Sequence, residues 1–353
     1  GDIWRRLVYA DFVNGSSSGM DKVYDGGAAV AQAYRDRVGL AAADTAAQTG
    51  IIDNDVQLSG FTSSYDSKDV NRDSNGRVID RKVQFTGFTL EDKNKTDGSD
   101  DAANYIVKAA DGTTTLTGTG TISPRTINVA VKDGPIKEYD GTTAVVGNTY
   151  ATAANINVDR TNLVAGDTIN VGLESAPSYQ NKNAGKGITY TYDLNWDNGN
   201  YELAADKAAA GQSLSSEGFG QSGKLTAGLT GTDGVITPRV LTVDAVKEAD
   251  KVYDGTTGVE NAAANIVLNN RIISGDTIGL SADAAYDNAN ASGSEASDTL
   301  LQHTVDYKLT LSNGNYQLSD DTAQGKGTIH RKGLDVVADA VTVDAGDALP
   351  VFR

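Results

Sequence analysis

Three lysines raise the first chemical question. Lys22, Lys137 and Lys251 each open a phrase of the form Lys-x-Tyr-Asp-Gly, continuing through Tyr24, Asp25, Gly26, then Tyr139, Asp140, Gly141, then Tyr253, Asp254, Gly255. A lysine held beside an asparagine and a buried acid can close an intramolecular isopeptide bond, because the amine must be neutral before it attacks. Asn200 and Asn315 recur toward the far end of their repeats, but Asn104 stands in a different context and no pattern selects the acid, so solvated lysines are the simpler expectation. Asp53 and Asp55, and Asp97, Asp100 and Asp101 of "DGSDD", are calcium-type ligands without EF-hand spacing, which reads as acidic loops with weak surface Ca²⁺ binding at most. The glycine-rich "NAGKG" and "AQGKG" lack the spacing and following helix of a phosphate loop. Tyr190, Tyr192, Trp196 and Tyr201 surround one expected hairpin and are the candidate contacts for a sugar ring, although alternating tyrosines also suit the edge of a core. With no cysteine and only His303 and His330, no nucleophile, metal or cofactor motif stands out, so neither an enzyme nor a bound cofactor is expected.

The elements that carry these residues are repeated. Tyr24, Tyr139 and Tyr253 are spaced 115 and then 114 residues apart, and Ile122 of "TISPRTINVAV" and Ile236 of "VITPRVLTVDAV" are again 114 apart. A degenerate third copy, "TIHRKGLDVVADAV" from Thr328, arrives early, which shortens the last interval by a loop. "VAGDTINVGL" at Val164 matches "ISGDTIGLSA" at Ile273, and "NWDNGNYEL" at Asn195 matches "TLSNGNYQL" at Thr310, with weaker echoes at Asp53 and Asp100. This predicts three tandem modules over 21–129, 130–243 and 244–338, flanked by a strand and linker at 1–20 and by the start of a further module at 339–353.

Within each module, period-two runs such as "TINVAV", "ITYTYDL" and "DYKLTL" predict half-buried antiparallel strands. "DNGN" and "SNGN" predict tight hairpins whose flanking strands pair, and Pro124 and Pro238 suit the entrance to an edge or connecting strand. The best helix candidate is 27–48, with Val30, Tyr34, Val38 and Leu40 near one face, echoed by 259–270. The expected fold is mainly β: antiparallel β-rich modules, sandwich-like or β-grasp-like, with short helical crossover segments, in an elongated array. In the repeated phrase itself, Asp accepts backbone N–H bonds and Gly supplies a positive φ, closing the strand in a turn without any ligand.

Taken with "ITPR", "GDT" and "GNY", the phrase resembles the YDG-type repeat modules of large bacterial surface proteins, especially filamentous-haemagglutinin-like and autotransporter adhesins. The likeness runs over most of 21–338, with departures: Gly27 replaces the Thr after the first phrase, the first module lacks the glycine of "GNY", and the third carries "IHRK" for the proline phrase. It implies a secreted or surface-displayed, non-enzymatic stalk or spacer whose partners are neighbouring modules. The rival readings are a filament or sheath subunit that assembles with like subunits by strand exchange, and a module that binds a host-cell glycan or protein.

The totals agree with an extracellular object. Thirty Lys+Arg against 47 Asp+Glu give a net charge of −17, which repels nucleic acid and anionic lipid. Thirty-nine glycines and 15 tyrosines fit many short strands joined by turns. No stretch approaches the ~20 apolar residues of a membrane span, so this segment is not expected to insert in a membrane, and any export signal is expected elsewhere.

Overall fold

The computed structural model describes all residues except 1, 53, 94–97, 99, 293–300, 339–341, 343, 347 and 349–353. The chain is mainly β, in sheets curled as half-barrels. It divides into two compact units, one of Gly1–Lys137, Thr143–Asn181 and Lys186–Val235, the other of Glu138–Thr142, Lys182–Gly185 and Ile236–Arg353. Among the described residues no helix is long and apolar enough to cross a membrane.

One pairing scheme occurs in three sets of strands. In the first unit, Arg6–Phe12 runs parallel to Tyr105–Ala109 and antiparallel to Val38–Leu40. Arg125–Val131 then runs parallel to Tyr201–Ala205 and antiparallel to Ile156–Val158. In the second unit, Arg239–Leu241 is parallel to Tyr316–Leu318, and Val243–Val246 is antiparallel to Ile266–Leu268. The register is the same each time: Arg6 faces Tyr105, Arg125 faces Tyr201, and Arg239 faces Tyr316.

A longer sheet accompanies each small one. In the first set it orders Val56–Tyr65, Arg81–Asp92 and Thr115–Gly120, all antiparallel, and Lys22–Val23 lies parallel to Ile122–Ser123. In the third, Ala249–Val252 is parallel to Thr322–His330, followed by His303–Leu311 and Leu280–Tyr286 in antiparallel order. Period-two side chains fill the space between the sheets: Val305, Tyr307 and Leu309 from one strand are buried with Ile266, Tyr286 and Ile329. Pro124 and Pro238 sit where the chain leaves the long sheet for the small one, a step at which no ladder donor is needed.

The strand expected within 1–20 is Arg6–Phe12, at the centre of a three-stranded sheet. Two helix expectations are corrected. The 27–48 helix shrinks to Gln32–Arg35, because Val38–Leu40 extends against Ala10–Phe12 and the Asp44 carboxylate accepts the amides of Ala46 and Ala47 in a turn. The 259–270 echo is a 3₁₀ turn over Ala262–Asn265 and then the Ile266–Leu268 strand. β-Branched residues and a nearby strand edge outweigh the weak helical period in both.

The Asn-Gly phrases are not hairpins either. Gly185–Trp196 and Tyr201–Ala205 lie in different sheets, and none of Asn198, Gly199, Asn313 or Gly314 has a positive φ. Instead the Asn198 and Asn313 side-chain oxygens accept the N–H two residues on, and their amides donate to Thr168 O and Thr277 O. The phrase turns the chain from one sheet into the other. The further module expected over 339–353 lies largely outside the described residues.

Candidate functional site

The Lys-x-Tyr-Asp-Gly turn is built as its residue types demand. Asp25, Asp140 and Asp254 accept the N–H two residues on, at 2.9, 2.9 and 2.8 Å. Gly26, Gly141 and Gly255 take φ of +81°, +78° and +82°, a region that costs any residue with a Cβ. Lys22 and Lys251 reach their own aspartates at 2.6 and 2.8 Å, while Lys137 donates to Ala144 O. Lys251, with the Thr256 N–H, draws the Asp254 carboxyl down to about 2. The three Nζ atoms also lie over the rings of Tyr65, Tyr179 and Tyr286, so each lysine ties its turn to the long sheet below.

The tyrosine does something different: it reaches the next set of strands. Tyr24 is 1% exposed, and its hydroxyl donates to Asp167 of "GDT" at 2.9 Å. The same carboxylate oxygen accepts the Tyr201 hydroxyl at 2.7 Å, and the two rings meet edge to face with centroids 5.7 Å apart. Tyr201 is fixed in turn by the Val164 N–H at 2.9 Å. The second unit repeats this on Asp276, with Tyr139 at 2.8 Å, Tyr316 at 2.7 Å, centroids 5.5 Å apart and the Ile273 N–H on the Tyr316 hydroxyl at 2.9 Å. Burial, reinforced by the bond to Asp167 or Asp276, pushes the Tyr24 and Tyr139 hydroxyls up to about 12. Tyr316 first and Tyr139 second hold the Asp276 carboxyl below the usual carboxylate range.

An asparagine completes the clasp. Asn200 accepts the Val70 N–H at 2.8 Å and donates to Asp69 at 2.9 Å; Asn315 accepts the Ala184 N–H at 2.8 Å and donates to Asn183 at 3.3 Å. Asp69 and Asn183 each lie four residues beyond the tyrosine under the lysine, Tyr65 or Tyr179. The turn glycine presses on the same partner: a Cβ on Gly26 would stand 2.9 Å from Val164, and one on Gly141 would stand 3.1 Å from Ile273. Each hydroxyl–carboxylate bond contributes about 1.5–3 kcal/mol and each ring pair about 0.5–1.5. The clasp is therefore a joint of hydrogen bonds and ring packing between one strand set and the next.

Several expected sites dissolve on inspection of their partners. Asn200 and Asn315 are taken up by the loops above, whereas the lysines bond their own turns, so no isopeptide constellation is assembled. Tyr190, Tyr192, Trp196 and Tyr201 are fully buried and offer no face to a sugar. Their polar tips point inward: Trp196 Nε1 donates to Tyr201 O, Tyr190 to Asp233 and Tyr192 to Tyr150 O. Alternation marked the strand as half-buried but did not tell which face is covered: Tyr190, Tyr192, Leu194 and Trp196 lie on the buried face, Thr191 and Asp193 on the open one. Asp53 and Asp97 lie outside the described residues, and among the described ones no three His, Asp or Glu side chains gather as a metal site.

Two polar features were missed. A cavity of about 780 Å³ in the first unit is lined by Glu174, Asp193, Asn195, Ser215 and Ser222. Glu174 is already satisfied there by Ser222 and Asn195, and the Ser222 bonds hold its carboxyl below the usual range. His303 spends one ring nitrogen on Asp287 at 2.7 Å and the other on Asn290 O at 2.9 Å, which pins the 287–290 loop. As for the clasp, the joint recurrence of "GDT" and "GNY" with the tyrosine phrase was its signal, though nothing local shows that the phrase acts on the following copy.

No curated protein and no solved structure matches the chain. The YDG domain family matches twice, and each match opens at the proline phrase and includes a "GDT" and a "GNY" landmark. The chain thus carries two YDG domains, at residues 123–209 and 237–323.

Proposed function

We propose that the chain is a non-enzymatic spacer segment of a secreted or surface-displayed bacterial adhesin, made of three tandem repeats in an elongated array. The observation that supports this reading is the clasp: twice, a Tyr-Asp-Gly turn of one strand set is fastened to the Asp–Tyr pair of the set that follows. A joint of that kind restrains bending between repeats and asks for no substrate, which is what a spacer needs. Its partners are neighbouring repeats of the same polypeptide, its setting is extracellular, and it works without a cofactor. The net charge of −17 keeps such an object soluble and away from nucleic acid. Small-angle X-ray scattering tests the reading: a radius of gyration well above the about 20 Å of a compact globule of this length is expected. A value at about 20 Å would overturn it.

A further inference from the structure

We infer that the chain carries one unfilled half of the clasp in each unit, and that these halves join two copies of the chain head to tail. The inference rests on the reading of the tyrosine turn as a fastener between repeats.

The unfilled donor is the Tyr253 turn. Its backbone repeats the other two in every particular: Tyr253 N–H bonds His330 O as Tyr24 bonds Ser123 O and Tyr139 bonds Thr237 O, and the Asp254–Gly255 turn closes in the same way. The difference lies in what it meets. Tyr253 is 41% exposed where Tyr24 and Tyr139 are 1%, and a Cβ on Gly255 would meet nothing within 4 Å. Asn290 and Ala291 stand four and five residues beyond Tyr286, the positions at which Asp69–Val70 and Asn183–Ala184 are gripped. With Arg331 and Leu334 they and Tyr253 line an open cavity of about 360 Å³.

The unfilled acceptor is the Tyr105–Asp55 pair. Tyr105 accepts the Ile52 N–H at 3.0 Å and donates to Asp55 at 3.3 Å, as Tyr201 and Tyr316 do with Asp167 and Asp276. Asn104 precedes Tyr105 as Asn200 precedes Tyr201. Ile52, whose counterparts Val164 and Ile273 carry the turn glycines, is exposed. Ile3, Trp4, Ile52, Asp55, Asn104 and Tyr105 line a cavity of about 340 Å³. Trp4 holds the sequence position of Ser123 and Thr237, whose carbonyls take the tyrosine N–H, and it is 86% exposed. A hydroxyl donor, an amide-bearing loop and a flat turn on one side thus face a carboxylate, an asparagine and an apolar seat on the other.

Sedimentation velocity of the full chain from about 10 µM to 1 mM tests this, at 0.15 and 0.5 M NaCl because the net charge opposes association until screened. Concentration-dependent growth is expected, stronger at high salt. Tyr253→Ala alone and Asp55→Asn alone should each weaken it at least tenfold. An equimolar mixture of the two variants, one keeping the acceptor and the other the donor, should restore association but stop at dimers. Circular dichroism checks that both variants fold. A wild-type chain that stays monomeric throughout, or growth indifferent to Tyr253→Ala, would overturn the inference. The spacer reading would survive either result if Tyr24 and Asp167 still couple within the chain.

Discussion

Alanine at the three turn glycines separates a docked turn from a free one. Gly26, Gly141 and Gly255 share a φ within a few degrees, so an alanine costs each the same backbone term, about 1–2 kcal/mol for a left-handed conformation. The added methyl meets Ile273 Cγ2 at 3.1 Å from position 141 and Val164 Cγ1 at 2.9 Å from position 26, but nothing within 4 Å from position 255. Overpacking costs typically 1–3 kcal/mol, so Gly26→Ala should lose about 1–2 kcal/mol more than Gly255→Ala, with Gly141→Ala between them. Gly141 and Gly255 fall in the same unit, which makes that pair the cleanest comparison. Urea unfolding followed by circular dichroism reads the differences. Three losses equal within about 0.5 kcal/mol would mean that the turns are not pressed against the following strands.

Other perturbations probe the polar half of the joint. Tyr139→Phe should cost about 1.5–3 kcal/mol through the lost bond to Asp276, and Tyr139→Ala about 3–5, whereas Tyr253→Phe should change stability by less than about 0.5 in the same urea titration. Because the Tyr24 and Tyr139 hydroxyls are raised from 10 to about 12, their contribution is complete below pH 10 and is lost as pH rises through about 12; a pH series of thermal melts should show Tyr24→Phe flattening that loss. Asn200→Ala and Asn315→Ala each orphan a loop N–H and should cost about 1–3 kcal/mol by chemical denaturation, against less than about 0.5 for Asn104→Ala.

Much of the fold was legible because its signals are local. Alternation marked the strands, the Asp and Gly of the phrase specified a turn with positive φ, and Pro124 and Pro238 marked the step between sheets. What misled were signals that depend on a distant partner. "DNGN" has the composition of a hairpin, yet Tyr201–Ala205 finds Arg125–Val131 in the other sheet. Residues 27–48 carry a weak helical period that the edge of Arg6–Phe12 overrides at Val38. Tyr201 looked like a surface ring because nothing near it reveals that Tyr24, far away in sequence, covers it. The site was visible as repeated words, and its meaning lay in which copy touches which.

Tyr24 and Tyr139 each belong energetically to the strand set that follows their own. A double-mutant cycle of Tyr24→Phe with Asp167→Asn measures this directly, set beside the cycle of Tyr24→Phe with Asp55→Asn, the matching aspartate of its own set. A coupling of about 1 kcal/mol or more is expected for Tyr24 with Asp167, and none beyond about 0.3 for Tyr24 with Asp55. Zero coupling to Asp167 would contradict the account.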